Sequence, residues 1–175
     1  EEFPDGFKGN AMTPELADRL TTVACVLDHV ENRRKRKISG QMSGRAVKFS
    51  RARKVRLGDD WHDVEVVHET ERLIQILLPG ERGERAIVSH WTPGLPVWHG
   101  IIDGEEVSVQ VRRISNGSRL SHRGVSVDAR VYTPREAELV KLMPKKLAPD
   151  TSRKLLCPMP GLVVALHVAE GAEVK

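Results

Sequence analysis

The chain has 175 residues, of which 39% are hydrophobic and 30% charged, and a formal net charge of +4. That apolar content suits one domain of ordinary size with flanking pieces, and no apolar run approaches the roughly 20 residues of a membrane span. Cys25 and Cys157 lie far apart, no Cys-x-x-Cys occurs and the seven histidines are not closely paired, which argues against a disulfide or a metal site and suits a reducing compartment.

The first ten residues read as a Gly/Pro loop. Glu1-Glu2-Phe3-Pro4-Asp5 is acidic without an apolar stretch, so it reads as a cut point within a longer chain rather than a signal peptide. Thr13-Pro14-Glu15 is a helix start, with an N-cap hydroxyl, a proline at the first helical position and an acid in the first turn. The helix is expected over 13–34. Leu16, Leu20, Val23, Leu27 and Val30 follow helical spacing. Ala17, Ala24, Cys25 and Val26 fill most of the remaining circumference, interrupted mainly by Asp18, Arg19 and Asp28. A helix apolar on most sides is buried on most sides.

The next stretch is different. Of the 28 Lys/Arg residues, eleven fall between Arg33 and Gly58, where there is no acid, so an acidic body carries one basic segment. No clear period runs through it, although Val47–Phe49 and Val55–Leu57 could each form a short strand. A loop of this length in a domain is usually functional or disordered.

From Trp61 onward the pattern has period two: Val64 and Val66, then Ile74, Ile76 and Leu78, then Ile87, then Val97 to Ile101, then Val107, Val109 and Val111, then Val125 to Val131. Pro79-Gly80, Asp103-Gly104 and Asn116-Gly117 mark turns. Six or seven short antiparallel strands follow, eight with the ends. A helix needing cover all round and a meander with one apolar face per strand combine most economically as a closed barrel. The fold class is thus α+β, mostly β: an up-and-down antiparallel barrel of about eight strands around a long central helix. A roll with the helix across an open sheet is the alternative. After Tyr132, Pro134 to Leu142 starts a short helix, Pro144 ends it, and 144–154 is a polar linker.

Residues 155–175 begin another small β-unit. Pro158-Met159-Pro160-Gly161 fixes a turn, Leu162–Val168 reads as a strand and Glu170-Gly171-Ala172 as the next turn. This stretch resembles the first quarter of a biotinyl/lipoyl carrier domain, without the biotinyl lysine usually set in Ala-Met-Lys-Met. Phe3-Pro4-Asp5-Gly6-Phe7-Lys8-Gly9 resembles the exit from a biotin carboxylase domain. With the helix-then-meander body between them, the whole chain resembles the connecting region of α subunits of the biotin-dependent propionyl-CoA carboxylase family.

The resemblance implies an organisation of 1–10 as carboxylase exit, 11–143 as a non-catalytic docking (biotin transfer) domain, 144–154 as linker and 155–175 as the start of the carrier domain. Within the docking domain it implies a hook over 36–60 and a barrel over 61–133, opened by Trp61. The expected partner is the carboxyltransferase β subunit, with the biotin carboxylase and carrier domains of the same polypeptide beside it. Nucleic acid and membrane are not expected partners. The whole enzyme would use ATP, Mg²⁺ and bicarbonate to carboxylate biotin and then propionyl-CoA, in a bacterial cytoplasm or the mitochondrial matrix, while this piece has no turnover alone. 3-Methylcrotonyl-CoA or another acyl-CoA remains open as substrate.

In that reading Ile38, Met42, Val47 and Phe49 are apolar anchors of the hook. Arg36, Arg45, Arg51, Lys54 and Arg56 form a basic rim that steers towards an acidic surface. A basic loop that binds RNA would want interleaved aromatics, and only Phe49 is present. Trp61, Trp91 and Trp98 could form a ligand cage, but tryptophans near strand ends more often plug a barrel or cover its rim. His90 and His99 could face each other, though without a third partner. His122 and His167 are expected at the surface, and Cys25 as a small core residue. There is no Gly-rich phosphate loop, no Gly-x-Ser-x-Gly and no paired-carboxylate site.

Overall fold

A computed structural model describes residues 9–36, 50–70, 73–80, 83–144 and a few positions between 161 and 167. The chain divides into two units at Leu142/Met143. In the first, α1 (Pro14–Arg36) is followed by eight strands: β1 (Ala52–Leu57), β2 (Asp60–Glu69), β3 (Leu73–Leu78), β4 (Gly83–Ser89), β5 (Val97–Ile102), β6 (Glu105–Ile114), β7 (Gly117–His122) and β8 (Val125–Tyr132). A short α2 (Pro134–Leu142) completes it. The strands form a closed barrel in chain order. Every neighbouring pair is antiparallel, and β1 closes on β8 with Val55 opposite Val131. Closure leaves no edge strand to protect.

The chemistry of α1 explains why the sheet closes around it. Thr13 caps the helix through its Oγ1, which accepts from Leu16 N–H at 3.3 Å, and Pro14 occupies the position whose N–H would have no partner. Leu20 through Leu27 are all buried in succession. Eight consecutive residues span more than two helical turns, so every face of that segment is covered. The barrel supplies the cover. Val55, Ile76, Leu78, Ile87, Trp98, Val109 and Leu120 point inward at full burial and join the helix in one core. Trp98 lies flat along β5 because residue 100 is glycine, where a Cβ would meet the Trp98 ring and the Val88 carbonyl.

The elements differ from the sequence expectation at three places. First, β1 runs from Ala52 to Leu57, inside the segment read as hook, so the barrel opens nine residues before Trp61. Its inward positions are Arg53, Val55 and Leu57, and the arginine hid the apolar stripe. Second, β7 carries a single large apolar side chain, Leu120, and gave no period-two signal. Third, α1 runs two residues past Arg34. Among the described residues of the second unit, Gly161, Leu162, Val164, Ala165 and His167 are exposed and belong to no strand; the other positions of the strand expected over 162–168 lie outside the described residues. No described helix is long and apolar enough to cross a membrane.

Alternating strand directions place four β-turns at the N-terminal end of α1. The other end, where α1 stops, holds the β2–β3, β4–β5 and β6–β7 connections and α2. The chain between α1 and β1 therefore leaves and re-enters the barrel at this same end. α2 is fixed by a capping box: Glu136 Oε2 accepts from Thr133 N–H at 2.7 Å and Thr133 Oγ1 accepts from Glu136 N–H at 3.3 Å.

Candidate partner-docking site

The candidate site is the end of the barrel where α1 stops. Of the residues expected to form it, Ile38, Met42, Arg45, Val47 and Phe49 lie outside the described residues. Arg36 closes α1, and Arg51 is exposed just before β1. Lys54 and Arg56 sit on β1, on its outer face, rather than in a hook. The register places Lys54 between Asp63 and Tyr132, and Arg56 between Trp61 and Arg130. Lys54 Nζ reaches Asp63 Oδ1 at 2.5 Å, and Arg56 pairs with Asp59 at 2.7 Å. Trp61 and Tyr132 pack with ring centroids 5.5 Å apart, and the Arg56 guanidinium lies 5.9 Å from the Trp61 ring centroid. Tryptophan, tyrosine and arginine side chains on an outer sheet face have the composition enriched at protein interfaces.

Sequence reasoning missed the groups that root the segment between α1 and β1. Arg53 points inward and is buried. Its Nε donates to Asp28 Oδ2 at 3.1 Å, and its Nη1 donates to the carbonyls of Ser50 and Ala52. Asp28 also accepts from Asn32 Nδ2 at 2.9 Å, one turn further along α1. About 100° around the helix from Asp28, His29 Nε2 lies 2.5 Å from Glu69 Oε2 at the end of β2, and Arg33 donates to the Thr70 carbonyl at 3.1 Å. A cleft of roughly 300 Å³ opens beside them, lined by His29, Ser50, Arg51, Arg53, His68 and Glu69 among others. Burial pushes the Asp28 carboxyl above its ordinary range, even though the Arg53 hydrogen bond and the charges of Arg53 and Lys35 pull the other way. A sequence signal did exist, since Asp28 interrupts an otherwise apolar helix and Arg53 takes the inward phase of Val55 and Leu57. Pairing them requires the barrel register.

The other candidates do not converge. Trp98 is inside the barrel, Trp61 is on its outer face, and Trp91 is largely buried with its Nε1 donating to the Leu95 carbonyl at 3.1 Å. There is thus no cage of three tryptophans. His99 faces outward and its Nδ1 lies 2.8 Å from Ser108 Oγ. His122, expected at the surface, is half-buried with Nδ1 2.8 Å from the Ser108 carbonyl, because it pairs with inward-facing Val125. Among the described residues no three His, Cys, Asp or Glu side chains come together as metal ligands. Cys25 is fully buried, and burial pushes its thiol up to about 12.

Residues 20–146 match the family model described as "Propionyl-coenzyme A carboxylase BT domain". Over its full length the chain is 34% identical to the propionyl-CoA carboxylase alpha chain of Ruegeria pomeroyi, covering 25% of that protein. Over 97% of its length it is 29% identical to the mitochondrial propionyl-CoA carboxylase alpha chain of Rattus norvegicus and 28% identical to that of Mus musculus, covering 23% and 24% of them. The chain thus spans about a quarter of the length of the relatives it matches. The family match covers the part of the chain that forms the helix-filled barrel, and this chain belongs to the propionyl-CoA carboxylase BT domain family.

Proposed function

We propose that this domain is a non-catalytic docking module of a biotin-dependent acyl-CoA carboxylase, with propionyl-CoA the favoured substrate. It holds the α chain on the carboxyltransferase β subunit so that carboxybiotin can travel between two active sites. The observation that carries this reading is the segment between α1 and β1. It lies within the acid-free, eleven-cation stretch from Arg33 to Gly58, its return to the barrel is held to α1 by Asp28–Arg53, and His29–Glu69 ties α1 to the end of β2 at the same end of the barrel. A segment anchored at both ends loses less entropy on binding than a free one, and its positive charge speeds encounter with an acidic surface.

The residues described here do not fit the cofactors of the whole enzyme. There is no Gly-rich phosphate-cradling loop in the sequence for ATP and no ligand set for Mg²⁺ among the described residues. We assign those groups to the neighbouring domains of the polypeptide, in a bacterial cytoplasm or the mitochondrial matrix. The test is a pull-down, at moderate salt, of this chain with the carboxyltransferase β subunit from the same source, beside a version with residues 37–49 replaced by a short Gly/Ser loop. Binding by the native chain that is lost on replacement, with circular dichroism unchanged, is the expected result. Equal binding by both removes the docking segment from the account.

A further inference from the structure

We infer that the outer wall of β3, β4 and β5 is a second interface, apolar at its centre and acidic at its rim, which seats a basic-rimmed apolar surface of the part of the α polypeptide that precedes this domain. The inference rests on reading this domain as one part of a longer α polypeptide, and not on the segment between α1 and β1.

The outer face of a closed barrel meets water, so its outward residues should be polar. β6 and β7 follow that rule, with Ser108, Gln110, Arg112, Arg119 and Ser121 outward. β3 to β5 depart from it. Their inward positions are filled by Ile74, Ile76, Leu78, Ile87, Trp98 and Ile102, and their outward positions carry a second apolar set. Leu73 pairs with Val88 and Val88 with Ile101, in one row across three strands. Leu77 and Ala86 lie outward on the same strands, and Val67 is exposed on the adjoining β2. Val67, Leu77 and Ile101 are 39%, 40% and 40% exposed. A contiguous apolar patch on one wall only marks a surface that another body covers.

The rim says what that body carries. Leu77 lies between Glu65 and Glu84, and Ile101 lies opposite Glu106. All three glutamates are exposed. No lysine or arginine takes an outward position on β3, β4 or β5. The complement is an apolar surface edged by lysine and arginine. Its sign is opposite to that of the acidic surface proposed for the segment between α1 and β1, so the two contacts do not compete for one partner face.

Position selects the source. The start of the domain is pinned at the turn end of the barrel, where Asn10 N–H donates to the Gly124 carbonyl at 3.1 Å and Asn10 Nδ2 to the Arg123 carbonyl at 2.8 Å. Ile101 and Glu106 flank the β5–β6 turn and Glu84 follows the β3–β4 turn, both at that same end. The acidic rim therefore opens towards the end at which the chain enters, away from the end where α1 stops. A tether keeps the preceding part at high local concentration, so a modest patch suffices. A carrier that travels between active sites would be held back by a standing apolar contact, which leaves the preceding part as the occupant.

The experiment uses the full-length α polypeptide, alone and with its carboxyltransferase β subunit. A benzophenone amino acid replaces Ile101 in one form, Ile101 in a Val88→Lys background in a second, and Ser121 on the polar wall in a third. After irradiation, cross-linked peptides are identified by mass spectrometry. The Ile101 probe should join a peptide that precedes this domain in the same molecule, at a yield independent of protein concentration and of the β subunit. Val88→Lys should cut that yield roughly tenfold, and the Ser121 probe should give none of that product. No protein cross-link from Ile101, equal yield from Ser121, or a product only with the β subunit, a second α copy or the carrier overturns the inference. Affinity for the β subunit should be the same with Val88→Lys as without it. The docking reading is judged by replacement of 37–49, so the two readings fail separately.

Discussion

Replacing Leu20 by alanine tests whether α1 fills the barrel. Leu20 is fully buried, at the start of the run where every residue of the helix is covered. The change removes three carbons from the core, worth about 2.4 kcal/mol of transfer energy at roughly 0.8 kcal/mol each. A closed barrel cannot collapse onto the gap, so a cavity term adds to this, giving about 3–4 kcal/mol in all. Helix propensity changes little, since both residues are good helix formers. Urea unfolding followed by tryptophan fluorescence is the assay, because Trp91 and Trp98 sit in the core. Leu139→Ala on α2 is the control, as Leu139 is 54% exposed and should cost no more than about 0.5 kcal/mol. A Leu20→Ala cost below about 1 kcal/mol, or one equal to the control, would refute a helix enclosed by the sheet.

Three further outcomes follow from other parts of the molecule. In a Cys157→Ser background, Cys25 should resist thiol reagents at neutral pH until the chain unfolds, because burial holds its pKa near 12; rapid native labelling by a chromogenic disulfide would contradict its burial. The Arg119 guanidinium, 2.7 Å away, lowers the Asp128 carboxyl. A lowered carboxylate contributes stability above its ordinary value and loses it as pH falls through that range. The melting temperature of Asp128→Asn should accordingly decline less than that of the native chain between about pH 5 and 2.5, a small effect for so exposed a pair; parallel slopes would remove it. Arg123 adopts a left-handed φ of 46° in the turn before Gly124, a conformation asparagine tolerates better. Its backbone carbonyl, which accepts from Asn10 Nδ2, is untouched by the change, so Arg123→Asn should stabilise by about 0.5–1 kcal/mol in urea unfolding.

The sequence carried the architecture where side-chain chemistry follows position. The apolar circumference of 16–30 called for a surrounding sheet, and Val107–Val109–Val111 and Val125–Val127–Ala129 called for strands with one buried face. Legibility failed where a polar side chain took an inward position. Arg53 occupies a core phase, so Ala52–Leu57 looked like basic loop, and Gly117–His122 is paired mainly by its neighbours with only Leu120 to mark it. The rooting pairs were invisible for a related reason. Asp28 and Arg53 are 25 residues apart in sequence, and only the barrel, in which β1 pairs with β2 and β8 and turns Arg53 inward, brings it to Asp28 on α1. Lys54 and Arg56 were expected in a docking loop. Pairing with Asp63, Tyr132, Trp61 and Arg130 makes them part of an outer sheet face instead.

The central claim is that the segment between α1 and β1 is the part of this domain that meets the carboxyltransferase subunit. Hydrogen exchange of the full-length α chain, free and in complex with that subunit, tests it most directly. The account predicts that complex formation slows exchange across 36–51 and leaves the inward ladders of β3 to β5 unchanged. Slowed exchange confined to other parts of the domain, with 36–51 exchanging at the same rate in both states, would contradict it.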